Sequence, residues 1–316
     1  MRSHSHILLV GLLSTLVLMA LGWVLPKWTL FLCTMAMSHG LVSLGIVILM
    51  RSGVVSFGQG FVFALGGYTT AFMANFFGIT DALVLTLGGG VVSCAVAAPF
   101  APLLSRYRGI FFAMLTLAIS MVLYGILVKT ESLGGSDGFN VSRPTLFGFE
   151  VTAERANWML YELAAAVVGV AVTLSRIYVQ SVRGLVSLAV REAELRVEYL
   201  GASVSQAITV NYLIAAALGG LGGALTVLAL GHIEPNFSYW TTSGEFVFVA
   251  ILGGYHSTVA VFVGSLLVEI VRSFSNLYFP NTWQMAMGLF LLVVIRFLPQ
   301  GLGSLWQKRS SASEQR

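Results

Sequence analysis

The stretch AITVNYLIAAALGGLGGALTVLAL at residues 207–230 contains no Asp, Glu, Lys or Arg, and Asn211 is its one amide side chain. About 20 mainly apolar residues in a helix cross the roughly 30 Å of hydrocarbon in a bilayer. A water-exposed fold has no place for such a run, whereas a membrane span requires it. Within the run, Ala215, Gly219 and Gly223 recur every four positions and share one helix face. Small side chains let backbones approach closely, which is how helices gain packing energy in lipid. That face is expected to lie against another helix or a second subunit.

Outward from this run the pattern repeats. Spans are expected at about 7–25, 28–50, 54–77, 82–104, 109–128, 158–175, 207–230, 242–256, 258–271 and 282–298. The eighth and ninth are short and interrupted near Gly253 and Gly254, so either could be re-entrant, and the count is eight to ten. Of the 316 residues 57% are hydrophobic and 9% charged, with a mean hydropathy of +0.88. Soluble domains carry roughly 25% charged residues, so composition argues against a soluble enzyme or a nucleic-acid-binding domain. The expected fold is an all-α polytopic membrane bundle, a single transmembrane domain over residues 1–316. Arg2, His4 and His6 precede the first apolar run, but its length and the lack of a small-residue cleavage site before Trp23 and Pro26 make it a retained span rather than a signal peptide. Cys33 and Cys94 fall inside apolar runs and read as small buried hydrophobes.

Charge placement sets the expected orientation. With the N-terminus inside and ten crossings, the inner segments hold Arg2, Arg51, Arg106, Arg108, Arg176, Arg183, Arg191, Arg196, Arg296, Lys308, Arg309 and Arg316, twelve of the 17 basic residues. Lys27, Lys129, Arg143, Arg155 and Arg272 fall outside. This bias places both termini in the cytoplasm. It also assigns the net charge of +4 to topology and removes nucleic acid as a partner.

Two connections carry most of the remaining charge. The outer one, about 129–157, contains GGSDG at Gly134–Gly138. It matches G-x-S-x-G with Ser136 in the nucleophile position, yet that motif works on a strand-to-helix elbow beside a His. The plainer reading is a turn cluster in which Gly supplies positive φ and Ser136 and Asp137 bond the backbone. The inner connection, about 181–206, can form one short helix over Gly184–Leu200, with Glu192 four residues before Arg196 and Gly201 as its stop. Such a helix can lie on the membrane or dock into a partner's groove. Arg191 and Arg196 are set against Glu192, Glu194 and Glu198, and this mixed charge favours a protein partner over anionic lipid.

There is no H-E-x-x-H and no G-x-x-x-x-G-K-[ST], so the chain shows no phosphate-binding loop of its own, and His4, His6, His39, His232 and His256 are scattered without metal-ligand spacing. Polar groups inside spans cost roughly 2.5–3.5 kcal/mol per charge at mid-bilayer and usually face a water path or the bundle interior. Ser56 and Gln59 lie where glycines can break the start of the third span, and with Glu245 they are the candidates for a translocation path. The alternative for Glu245 is a first-turn acid behind a Ser243 N-cap. Glu162 and Glu269 sit near expected helix ends, where they can snorkel, and His39 and Asn211 read as hydrogen-bonded interior groups.

Five blocks taken together resemble a known family. SGVVSFGQGFVFALGGYTTA (Ser52–Ala71), FFAMLTLAIS (Phe111–Ser120) followed by GGSDG, REAELRVEYLG (Arg191–Gly201), GHIEPNFSYWTTSGEFVFVAILGG (Gly231–Gly254) and FLPQGLGSLW (Phe297–Trp306) are similar to the M-type permease subunit of branched-chain amino acid, Liv-type, ABC importers, whose relatives also serve urea and other amides. The resemblance runs from about residue 35 onward. It implies an all-helical permease of the bacterial inner membrane working by alternating access. The implied partners are a homologous H-type permease, two cytoplasmic ATPases that use ATP and Mg, and an extracytoplasmic solute-binding protein. No cofactor is implied on this chain and no catalysis of its own.

In that picture Arg191, Glu192, Arg196, Glu198 and Gly201 form the coupling surface for the ATPases, and Gly135, Ser136 and Asp137 face the binding protein. Importers of this broad type often show E-A-A-x-x-x-G in the coupling loop. Counting back from Gly201 the stretch here is Leu195, Arg196 and Val197, without the acidic start. A second departure is LGGYHSTVAVFVG (Leu252–Gly264), with His256, Ala260 and Val261 where the family usually has further Gly and a Pro. Two other classes make different demands on the sequence. A secondary transporter or channel needs clustered intramembrane acids, which the sequence does not present as a cluster. An intramembrane protease needs Ser136 to meet His232 or His256.

Overall fold

The computed structural model describes residues 4–145, 155–254, 257–278 and 282–297. These form α1 (His4–Gly22), α2 (Lys27–Met50), α3 (Gln59–Asn75), α4 (Ala82–Ala97), α5 (Phe100–Leu104), α6 (Gly109–Lys129), α7 (Ala156–Gln180), α8 (Val182–Glu192), α9 (Glu194–Tyr199), α10 (Val204–Leu230), α11 (Trp240–Gly253), α12 (Ala260–Tyr278) and α13 (Trp283–Phe297). A two-residue ribbon, β1 (Phe139–Asn140) and β2 (His232–Ile233), is the one sheet among the described residues. The expectation of an all-α membrane bundle is met. Among the described residues α2, α6, α7, α10 and α12 are long and apolar enough to cross a membrane, and α1 and α4 contain shorter apolar helices.

The centre is α10, capped by Ser203, whose Oγ accepts from Gln206 N at 3.3 Å, and closed by Gly231 at φ 68°. Its small residues act as the sequence leads one to expect. A Cβ on Gly45 of α2 would lie 2.9 Å from Ala215 Cα, and one on Gly219 would lie 2.5 Å from a Val62 methyl of α3. Backbones of α2, α3 and α4 thus approach α10 closely enough to gain dispersion contact without a hydrophobic driving force. The repeating face packs within the chain, leaving a second subunit to other surfaces. Much of α6 faces outward instead, with Ile110, Phe111, Met114 and Val122 exposed.

Three boundaries differ from those expected. The third span does not start as a helix at 54: residues 51–58 are irregular and α3 begins at Gln59. The fourth is divided into α4 and α5 at Pro99, which has no N–H to continue the ladder. The ninth does not end near 271 but runs to Tyr278, so Arg272 lies inside α12 and not in an outer loop.

Contacts define the two ends. At one, Arg108 Nε donates to Glu194 Oε1 at 2.8 Å, Ser105 and Ser205 hydroxyls are 2.6 Å apart, and Arg176 Nε reaches Thr258 Oγ1 at 3.3 Å. At the other, Phe139 pairs with Ile233 and Asn140 with His232, while Asn75 Nδ2 donates to Asn140 O at 2.7 Å.

Candidate functional site

Two interrupted segments meet within the bundle. Residues 51–58 lead into α3, and residues 234–239 lead into α11, whose 14 residues cover about 21 Å at 1.5 Å per residue. Irregular backbone at membrane depth is tolerated only where its polar groups are satisfied within protein or a cavity, and here side chains do this. Phe57 N donates to Thr116 Oγ1 at 3.2 Å, Gly58 N to Ser56 Oγ at 3.2 Å, and Gly60 N to Ser243 Oγ at 2.9 Å. Ser120 Oγ donates to Ser238 O at 2.7 Å, tying α6 to the second segment. Gly60 has no room for a side chain, since its Cβ would lie 2.7 Å from Ser243 Oγ.

Ser56 and Gln59 are both 1% exposed at this junction. Gln59 Oε1 has no hydrogen-bond partner among the described residues. Ser243 is not the N-cap of α11: the helix starts at Trp240 behind Tyr239, without a side-chain cap. The capping account of Glu245 therefore fails, because Ser243 is spent on the backbone of α3.

Glu245 is instead ion-paired with Arg272 of α12. Arg272 Nη1 is 3.9 Å from Glu269 Oε2, and Glu269 Oε2 is 3.3 Å from His39 Nδ1. Glu269 is thus no snorkelling end residue; it is 9% exposed in the body of α12. No intramembrane acid cluster is visible along the sequence, yet α2, α11 and α12 bring two acids together with an Arg and a His. The cluster borders a cavity of about 750 Å3 that extends to Glu234 and Asn236 beside β2. Ser56 and Gln59 lie apart from its lining. The missed signal was local: Glu269 and Arg272 are i, i+3 neighbours, visible as one face only if the helix continues past 271.

The inner connection folds as two helices, not one. Ala193 takes φ −159° and ψ 90°, separating α8 from α9, so Glu192 and Arg196 no longer share a continuous helix. Glu194 of this segment is ion-paired with Arg108. Gly201 follows α9 at φ 84°, its N–H bonding Glu198 O at 2.9 Å, as a stop should. Val190 and Val197 turn inward, while Arg191, Glu192, Arg196, Glu198 and Gly201 are exposed beside Leu195, Tyr199 and Leu200. Beneath them Asn211 Nδ2 donates to Ser52 Oγ and to Ser187 Oγ, each at 3.1 Å. One buried amide therefore links α8, α10 and the residue preceding Gly53, and Gly53 itself lies against Arg191.

At the ribbon end, GGSDG is a turn cluster: Gly134, Gly135 and Gly138 have φ of 88°, 55° and 68°. Ser136 Oγ bonds Asp137 Oδ1 at 3.0 Å, and His232 Nδ1 is 3.0 Å from Asn140 Oδ1. Neither makes a Ser–His contact among the described residues; His256 and the 297–306 block, apart from the helical end Phe297, lie outside them.

Interrupted spans around a polar junction, inside a helical bundle with a polar cavity, define the class: a multi-pass membrane permease. The chain belongs to the family described as branched-chain amino acid transport system / permease component, whose model matches residues 28–296. It is 27% identical over 315 residues to the high-affinity branched-chain amino acid transport system permease protein LivM of Escherichia coli (strain K12), covering 92% of this chain and 74% of that one. The same identity and coverage hold for LivM of Salmonella typhimurium. It is 22% identical over 295 residues to the corresponding permease protein LivH of Escherichia coli (strain K12), covering 85% and 92% of the two chains. No solved structure matches the chain.

Proposed function

We propose that this chain is the M-type half of a two-permease ABC importer that carries branched-chain amino acids across the bacterial inner membrane by alternating access. One observation carries the reading: the family match over residues 28–296 runs through both interrupted segments and the α8–α9 segment. The chain contributes no catalysis. Two cytoplasmic ATPases hydrolyse Mg-bound ATP, an H-type permease related to LivH completes the path, and an extracytoplasmic binding protein delivers the solute. Both termini are cytoplasmic, which the Lys and Arg bias supports. With Arg272 inside α12, four basic residues remain on the outer side, Lys27, Lys129, Arg143 and Arg155.

In this scheme α8 and α9 are the coupling element. Their exposed surface alternates charge with apolar side chains, as a groove-docking helix does. The ATPases hold it differently in two states, and differential contact energy biases the permease between them. Asn211 and Arg191 pass that displacement to residues 52–58, at the foot of the junction containing Ser56 and Gln59. Gly135, Ser136 and Asp137 stand at the binding-protein side.

Co-purification of the membrane complex, identification of its soluble binding protein and titration with leucine, isoleucine, valine, urea and short amides test the reading. Tight binding of the branched amino acids supports it, and a preference for urea or an amide moves the chain to the amide branch. ATP-independent transport by this chain alone would establish the secondary-transporter alternative.

A further inference from the structure

The cavity beside Glu245 and Arg272 holds more polar chemistry than a passive conduit needs. Three helices place His39, Glu245, Glu269 and Arg272 together at membrane depth, where each charge is costly unless paired. We propose that this cluster is an exchange site for a zwitterionic α-amino acid: its carboxylate takes the Arg272 guanidinium from Glu245, and its ammonium takes the carboxylates of Glu245 and Glu269. The proposal rests on the importer reading and gives it a residue-level site.

Charge decides the ligand class. A zwitterion is neutral, so it offers a counter-charge to both the guanidinium and the carboxylates without changing the net charge of a low-dielectric site. A simple carboxylate that displaced Glu245 from Arg272 would leave Glu245 without a counter-charge, and a simple amine would leave Arg272 competing for the same two acids. Burial is graded in the sense an exchange needs. The side chains of Glu245 and Arg272 are 23% and 24% exposed, and those of Glu269 and His39 are 12% and 11% exposed. The outer pair is reachable, while the inner pair is held between helices.

The His39 ring stands edge-on to Phe246 at 5.5 Å and to Phe63 at 6.0 Å. These rings, with Phe31 and Met35, form apolar walls next to the charges. An aliphatic side chain finds those walls when its α-carbon groups meet the cluster. The volume of about 750 Å3 lies within the roughly 300–1,000 Å3 of small-molecule sites.

The complete transporter, reconstituted in proteoliposomes with its binding protein, provides the test. The exchange Glu245→Arg with Arg272→Glu keeps an ion pair but reverses its polarity. The site predicts that this variant still assembles with the H-type permease and the ATPases, while leucine uptake falls about tenfold or more. Uptake at the wild-type rate would show that the pair is only a structural bridge, and would overturn the proposal.

Labelling of the thiol introduced by Thr241→Cys, on the cavity wall, decides the matter if the exchanged variant does not assemble. Saturating leucine delivered by the binding protein is expected to slow labelling several-fold, and an unchanged rate overturns the site. Absence of ATP-driven leucine uptake in the wild-type transporter would instead refute the importer reading. Normal uptake by the exchanged pair with an unprotected thiol refutes this site alone.

Discussion

Gly60 N donates to Ser243 Oγ at 2.9 Å, joining residues 183 positions apart and thereby the first turns of two interrupted spans. Here a backbone donor of the first segment relies on a side chain of the second, so the start of α3 depends on the position of α11. A buried donor left without a partner costs about 1–3 kcal/mol. Ser243→Ala is expected to lower the thermal stability of the purified permease complex and to reduce uptake. Thr116→Val, which removes the acceptor of Phe57 N, should act the same way. Differential scanning fluorimetry of the complex in detergent measures both, and unchanged melting would show that the junction is dispensable.

The second prediction concerns Asn211, which is fully buried and bonded to Ser52, Ser187 and Tyr178. Asn211→Leu leaves those hydroxyls without their shared amide, again at about 1–3 kcal/mol. If the amide passes motion from α8 to residues 52–58, the variant hydrolyses ATP without proportionate uptake. The ratio of ATP consumed to leucine accumulated should rise. A variant that loses both activities in step would assign Asn211 to stability alone.

The exposed charges of α8 and α9 give a different pattern. Glu192→Arg touches a surface position, where substitutions usually change stability by less than about 0.5 kcal/mol, whereas Arg191→Glu also alters a side chain lying against Gly53. They are nevertheless expected to weaken co-purification of the ATPases and to cut uptake severely. Intact assembly and coupling in both reversals would remove α8 as the docking element.

At the ribbon end Gly138 and Ser136 should separate structure from chemistry. Gly138 has φ 68° and lies against the Ile233 backbone, so Gly138→Val cannot keep the β1–β2 pairing. Loss of binding-protein stimulation is expected for it. Ser136→Ala removes only an exposed hydroxyl bonded to Asp137, and uptake should stay near the wild-type rate. A large loss in Ser136→Ala with binding-protein affinity unchanged would contradict the turn reading.

Much of the architecture was legible because spans announce themselves by uncharged length and because small residues such as Ala215, Gly219 and Gly223 can only serve close packing. The irregular start of α3 was legible from its glycines. The cluster at His39, Glu245, Glu269 and Arg272 was not, because it is assembled from three helices and no sequence separation encodes it. A charge near the end of an apolar run also looks the same whether the helix stops or continues, and α12 continues. The break at Ala193 was hidden for a related reason: Ala is the best of helix formers, and tertiary context set the backbone there. Likewise Ser243 has the residue type of a cap, but the partner that claims it lies on another helix.

The most direct test of the account is leucine uptake into proteoliposomes holding this chain, its H-type partner and both ATPases, with the binding protein supplied on the opposite face from ATP. Accumulation that requires ATP, Mg, the binding protein and this chain together is the predicted result. Equal accumulation without ATP or without the ATPases would contradict it.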